Sequence, residues 1–535
     1  MQASSSSRLY PTPQLFLVVV LAVLLVLTVA CGSGGSMSKT PPLTGNASVT
    51  VMLTSTANDQ LAEFDLGFQG ITLTSQSGKT VTLASSTSGP SLDAEFMHLN
   101  GVAQPLLTAT VPQDIYTSAS VTLGGGAFVC IALGQVDGEQ TLSSATYTLF
   151  PPTATVNFPS PVTVTGTNMA LSLDLQMSQS ATIGDCVNVD GFTGFSAAPT
   201  FTLTPLVLSA SATNSANGKV IGLDGEVTAV GSSGNSFTLS IPNYSPSLTG
   251  LPLSVQSGSG TVYQGISGSS ALTVGTFVNM DGAIQADGSL LATRIAVEDP
   301  SALYVFRGPL LQVAGSVSSF FMHAREMQGA NIPGYPTGEG APFNDGSAVF
   351  QISGQLTNLG SLPFVPSFNS SSMVPGQEVY VSTTTLPYNG PYPVVTTMTL
   401  MPQTINGTVT AISHSGNFTD YTVALASYDL FPMLAVQPGQ STFENNPGQV
   451  EVYVDSNTQQ LSSTTVEVGS TFRFYGLVFN DNDTLRMDCA QINDGVAFLP
   501  AASAVKNRQA GQIQITRRPS PGGLPEVNTR ITTAR

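Results

Sequence analysis

The phrase Gly225-Glu226-Val227-Thr228-Ala229-Val230 returns as Gly407-Thr408-Val409-Thr410-Ala411-Ile412, so part of this chain is one unit written more than once. Downstream of the first copy, Val274-Gly275 stands seven residues from Gly275 to Gly282; downstream of the second, Gly469 and Gly476 keep the same spacing. A strand-like run follows each, Leu290 to Ile295 and Leu485 to Ile492. Between them lies a degenerate copy, with Gly308 to Val313 and then Val374-Pro375-Gly376, Val379 and Val381. Three tandem units result, at about 217–300, 301–402 and 403–499. Each V-G reads as a tight turn in which glycine supplies backbone freedom. Units of about 80–100 residues can close small cores by themselves, so they are expected as beads, not as a solenoid that needs its neighbours.

Ahead of the repeats, residues 46–209 show the period-two pattern of strands. Val49, Val51 and Leu53 alternate with Ser48, Thr50 and Met52; Phe64, Leu66 and Phe68 alternate too, with turns such as Ser77-Gly78 between runs. Short alternating runs of this kind predict an antiparallel β-sandwich. The composition agrees: only 9% of residues are charged, while 52 are glycine and 35 proline. Helix-forming Glu, Lys and Arg are scarce and turn formers abundant. The expected fold class is all-β, an N-terminal sandwich followed by three small barrel-like modules.

The N-terminus carries a different signal. An apolar run from Leu15 to Val29 ends in Thr28-Val29-Ala30-Cys31-Gly32. The run is short for a membrane span and suits the core of a secretory signal. A small residue before a cysteine at that point resembles a bacterial lipobox, which implies cleavage before Cys31 and a lipid on its sulfur. Thr28 replaces the commoner leucine. The absence of Asp after Cys31 implies, by the same analogy, an outer-membrane destination. Residues 1–30 are then a signal peptide and 31–45 a flexible tether. Several acyl chains at ~0.8 kcal/mol per buried CH₂ make a durable anchor.

Residues 46–209 also resemble domain-of-unknown-function family 4382, a carbohydrate-binding-like sandwich found in bacterial lipoproteins. The likeness rests on Phe96-Met97-His98-Leu99-Asn100-Gly101, Leu106-Leu107 and Pro112-Gln113-Asp114-Ile115-Tyr116-Thr117. That family has Gly where Asp114 stands, which puts the local turn geometry in question. The repeats resemble family 5666, a small β-module opening on G-x-V and closing on V-G and D-G-x-L. Asp287-Gly288-Ser289-Leu290 fits the close; Asn482-Asp483-Thr484-Leu485 fits it without the glycine. Neither family implies an activity.

Export implies an oxidising compartment, where Cys130 and Cys186 are expected to pair; two separate buried thiols are the alternative. In the chain-entropy picture a loop of that size contributes about 4 kcal/mol. Cys489 aligns with Ala292 and reads as a small core residue. His98, His323 and His414 lie far apart, without metal-ligand spacing, and read as surface or edge histidines. Acidic clusters at Asn58-Asp59 with Glu63 and Asp65, and at Asp481-Asn482-Asp483 with Asp488, read as solvated turn carboxylates rather than calcium ligands. No G-x-S-x-G elbow or Walker loop occurs. A glycosidase-type carboxylate pair remains open, against the absence of any tryptophan.

Two proline-stiffened loops of the middle unit carry aromatics, Tyr335 with Phe343 and Tyr388 with Tyr392. They read as a preorganised binding surface or as plugs over a barrel mouth. The net charge of −17 argues against nucleic acid. Only the segment 500–535 is basic, and it reads as a disordered tail. Together these features predict a membrane-tethered, non-enzymatic envelope protein without a cofactor, binding glycan or protein. A structural spacer and an unrecognised envelope hydrolase are the alternatives.

Overall fold

The computed structural model describes residues 43–495, except 57–60, 86–91, 100–101, 137–138, 148–151, 183–195, 207–218, 242–250, 286, 298–303, 314–318, 330–339, 354–360, 386–391, 427–428, 436–447, 461 and 463, together with 513–518 and 526–531. Side chains of 125–150 and of the C-terminal strands are outside that description. The segment around Cys31, and Cys186, Tyr335 and Tyr388, lie outside the described residues, as does the Cys130 side chain. From Gly45 onward the chain forms one unit, almost wholly of β-strands. Among the described residues no helix is long and apolar enough to cross a membrane.

Strands between Asn46 and Pro205 build an eleven-stranded sheet system around an apolar interior. Antiparallel pairing dominates, but the expected purely antiparallel pattern is broken twice. Asn46–Ser55 runs parallel to Asn168–Leu175, and Thr200–Pro205 runs parallel to Thr153–Asn157. Phe68, Phe96 and Phe201 meet with ring centroids 5.9 to 6.2 Å apart, all essentially inaccessible. Each such ring contributes about 1.5–3 kcal/mol by burial. Asp114 stands without strain where the resemblance implies glycine: its backbone is not left-handed. Its Oδ1 accepts the Ile115 N–H at 2.8 Å, and Tyr116 donates its hydroxyl to the Pro112 carbonyl at 2.9 Å.

The three repeats share one circuit. In the first, Lys219–Val230, Ser236–Ile241, Leu251–Gln264, Leu290–Val297 and Phe277–Ile284 close a barrel in that spatial order. In the third, Gln403–Ser415, Phe418–Leu425, Gln449–Val454, Thr484–Asp494 and Thr471–Asp481 pair in the same sequence and close in the same way. The middle repeat follows it with the third strand split into Gly340–Asn344 and Val349–Ile352.

One clasp explains the shared sequence phrases. The Gly275 N–H donates to the Val227 carbonyl, and the Val227 N–H returns to Thr276. Gly376 with Leu310 and Gln377, and Gly469 with Val409 and Ser470, repeat that exchange. All three glycines have φ near +90°, where a side chain is strained. Seven residues on, each module has a bulge: at Asp281/Gly282, Ser382/Thr383 and Tyr475/Gly476. At Gly282 and Gly476 the facing strand comes so close that a Cβ would sit 2.5 Å and 2.0 Å from a backbone oxygen. Ala292 and Cys489 face those glycines and are both buried.

The modules are not separate beads, which corrects the sequence-based expectation. One apolar cluster runs from Val51 and Phe64 of the N-terminal sheets into Phe306 and Phe320 of the middle module. Met52, on the face read as outward, is fully buried with Ala170 and Leu206 against the first barrel's Leu223 and Met280. Alternation fails there because both faces of the strand are covered. The basic tail also departs from expectation: Ile513–Arg518 pairs antiparallel with Glu526–Ile531. Isoleucines at 513, 515 and 531 and a valine at 527 give these runs the two-residue period of strands.

Candidate functional site

Charged residues are few, and many of them are buried together where the modules meet. Arg325 follows the strand Ser319–His323. It donates Nε to the Ala62 carbonyl of the N-terminal sheet at 2.6 Å and Nη1 to Glu378 at 3.0 Å. Arg307 donates Nη2 to the carbonyls of Ile221 and Gly222 in the first barrel, at 3.0 and 2.9 Å, and stands 3.3 Å from Glu326. His98 makes the third node. Its Nδ1 lies 2.8 Å from Glu95, and its Nε2 lies 3.1 Å from Gln104 Oε1 and 3.5 Å from Glu326. Glu95 in turn accepts the backbone N–H groups of Phe64, Met97 and His98. Both nitrogens of His98 therefore have polar partners within the N-terminal sheets.

Beside this seam runs a cleft of about 80 Å³ between the N-terminal sheets, the middle module and the third module. Leu61, Met97, Leu430 and Phe431 give it apolar walls, and His98, Arg325, Glu378 and Tyr475 its polar ones. Burial holds the Glu378 carboxyl above the usual range despite Arg325, and burial pushes the Tyr475 hydroxyl upward.

Two further buried carboxylates lie off the cleft. Asp224 accepts from Tyr380 Oη at 2.6 Å and from Asn279 at 3.0 Å, yet burial lifts it to about 6. Asp488 is lifted to about 7, first by burial and then by Asp455. In the first barrel, Arg294 pairs with Asp281, whose Oδ1 also accepts the Gly222 N–H at 2.8 Å.

The sequence-based candidates scatter. Phe343 is fully buried, its ring 5.1 Å from Phe306 and stacked 5.4 Å from Phe320. It is a core residue, which corrects its reading as part of a binding loop. Tyr392 is 47% exposed and meets Phe321 edge-on at 6.0 Å. Of the histidines, only His414 is on the surface; the His98 and His323 side chains are 5% and 1% exposed. His323 stands 3.0 Å from the wholly buried Glu63, so neither is the surface group expected. Asp488 likewise lies in a strand and is buried, while Asn482 and Asp483 form the hairpin tip with positive φ. Among the described residues, no three His, Cys, Asp or Glu side chains gather where they could share a metal ion. The seam residues themselves were missed. The signal was present: Arg294 and Arg307 interrupt otherwise apolar strands in a chain poor in charge, and such residues are seldom buried unless paired.

The comparisons with known proteins are sparse. No match was found among curated proteins. A solved structure of CusF from Escherichia coli, a tryptophan-to-alanine variant with Cu(II), aligns over 17% of this chain and 100% of its own, with 15% identity and a TM-score of 0.12. That likeness carries no argument about fold or function. Residues 224–296, the greater part of the first barrel, match the family model of a domain of unknown function, DUF5666.

Proposed function

We propose that this chain is a lipid-anchored, non-enzymatic binding protein of the cell envelope, with its outer membrane as the favoured site. The observation that carries the reading is the apolar run Leu15 to Val29 ending at Cys31. Acylation there would hold the following β-modules at a lipid surface.

Arg307 and Arg325 tie the middle module to the first barrel and to the N-terminal sheets through buried hydrogen bonds. A scaffold fixed in this way presents surfaces of constant geometry, which lowers the ordering cost of binding.

Metabolic labelling with an alkyne fatty acid tests the anchor: the wild-type chain takes up label and Cys31→Ser does not. Label on the variant, or on neither, removes the anchoring claim. A glycan array and an envelope pull-down with the full chain in detergent test the binding claim. Reproducible capture of a ligand is expected, and its absence from both would leave the spacer reading in its place.

A further inference from the structure

The cleft between the N-terminal sheets and the middle and third modules holds three polar side chains with hydrogen-bonding capacity to spare. Arg325 uses Nε and Nη1 on Ala62 and Glu378, and among the described residues Nη2 has no acceptor. Glu378 engages Arg325 through Oε1, and among the described residues Oε2 receives no hydrogen bond. The Tyr475 hydroxyl makes no hydrogen bond to a described residue. All three residues are only 6% exposed and line the same space. These atoms open on the cleft and are free to meet the polar groups of a molecule that enters it.

The groups also limit what that occupant is. Arg325 offers donors, Glu378 an acceptor, and Tyr475 either, so the ligand must present a donor and an acceptor side by side. A free anion would meet Glu378, with Glu326 and Glu95 behind it on the seam; a cation would meet Arg325 and Arg307. A neutral group fits both. The volume equals about five to eight water sites at 10–15 Å³ each, enough for one edge of a sugar ring and too little for a chain of them. Met97, Leu430 and Phe431 supply an apolar wall for the C–H face of such a ring.

We propose that this cleft is a monosaccharide-binding subsite, holding one hexose-type residue of a glycan through two adjacent hydroxyls, one accepting from Arg325 and one donating to Glu378. The proposal rests on the binding reading above and narrows it to a place and a ligand class.

The test is ligand-observed NMR or calorimetry on the full chain in detergent, with glucose, galactose, N-acetylglucosamine and, as a non-sugar donor–acceptor probe, acetamide. At least one sugar should saturate in the millimolar range. Tyr475→Phe should weaken it by about three- to tenfold, since only a hydroxyl is removed. Met97→Trp, at a half-buried wall position, should fill the cleft and abolish it; Val274→Ala, on an exposed turn, should change nothing. Circular dichroism identifies which variants are folded, and either cleft variant alone suffices. Failure of every sugar to bind, binding unaffected by the folded cleft variant, or acetamide binding as well as the sugars would each overturn the proposal. Those results leave the fatty-acid labelling and the array result standing, so the broader reading fails or survives separately.

Discussion

The hydroxyl of Tyr380 in the middle module donates to Asp224 of the first barrel at 2.6 Å, joining two repeats through one buried hydrogen bond. Asp224 also accepts from Asn279 and feels the charge of Arg307, and among the described residues its Oδ2 has no hydrogen-bond partner. Burial dominates and lifts the carboxyl from 3.8 to about 6.

That lift fixes a pH dependence. The folded-state value lies above the unfolded one, so folding favours the neutral acid. Its contribution is complete below about pH 4 and is lost as pH rises through about 6. The rise corresponds to about 3 kcal/mol. Asp224→Asn keeps an acceptor for Tyr380 and removes the charge. Urea unfolding should find it more stable than wild type by about 2–3 kcal/mol at pH 8 and nearly equal at pH 4. A variant destabilised at pH 8 contradicts the assignment.

The glycine spacing of the repeats makes a paired prediction. At Gly476 a Cβ would meet the Asp488 carbonyl at 2.0 Å, so Gly476→Ala must displace backbone and should cost about 3 kcal/mol or more. At Gly469 nothing lies within 4 Å, and only φ of +92° opposes a side chain. Gly469→Ala should cost about 1–2 kcal/mol. Thermal unfolding of both variants orders the costs, and the reverse order would refute the close-approach argument.

How much of this was legible follows from particular residues. The alternation at Val49, Val51 and Leu53, and the paired glycines at 275/282 and 469/476, mark strands and turns through local chemistry that does not depend on neighbours. Met52 was misread because what covers the second face of its strand is another module, and period-two reasoning assumes one dry face. Phe343 was misread because a proline-bearing segment leads into a strand whose ring packs on Phe306 and Phe320. Glu63 and His323 lie far apart in sequence and meet only in the assembled fold. The cleft was invisible for that reason too: Arg325, Glu378 and Tyr475 come from separate strands and turns of two modules.

The Glu63 and His323 contact gives a third expectation. Both side chains are essentially inaccessible and 3.0 Å apart. His323→Leu strands a carboxylate in the interior and should cost about 3–5 kcal/mol. Adding Glu63→Gln should recover much of that loss. A double-mutant cycle by urea denaturation measures the coupling, and additive costs would mean that the two groups do not act on each other.

Cys489 gives a fourth. Burial, with Asp488 beside it, pushes its thiol upward, and the sulfur donates to the Gln491 carbonyl at 3.2 Å. The thiolate is the reactive form, so maleimide should leave Cys489 unlabelled in the native chain and modify it after denaturation. Peptide mapping distinguishes the two, and rapid native labelling would show the strand to be open.

The most direct measurement of the whole account is the intact mass of the protein purified from a bacterial membrane. The account predicts a chain beginning at Cys31 and heavier than its amino acids by a diacylglyceryl group, with or without a further acyl chain. A mass that retains residues 1–30, or a free amino terminus at an unmodified Cys31, would contradict it.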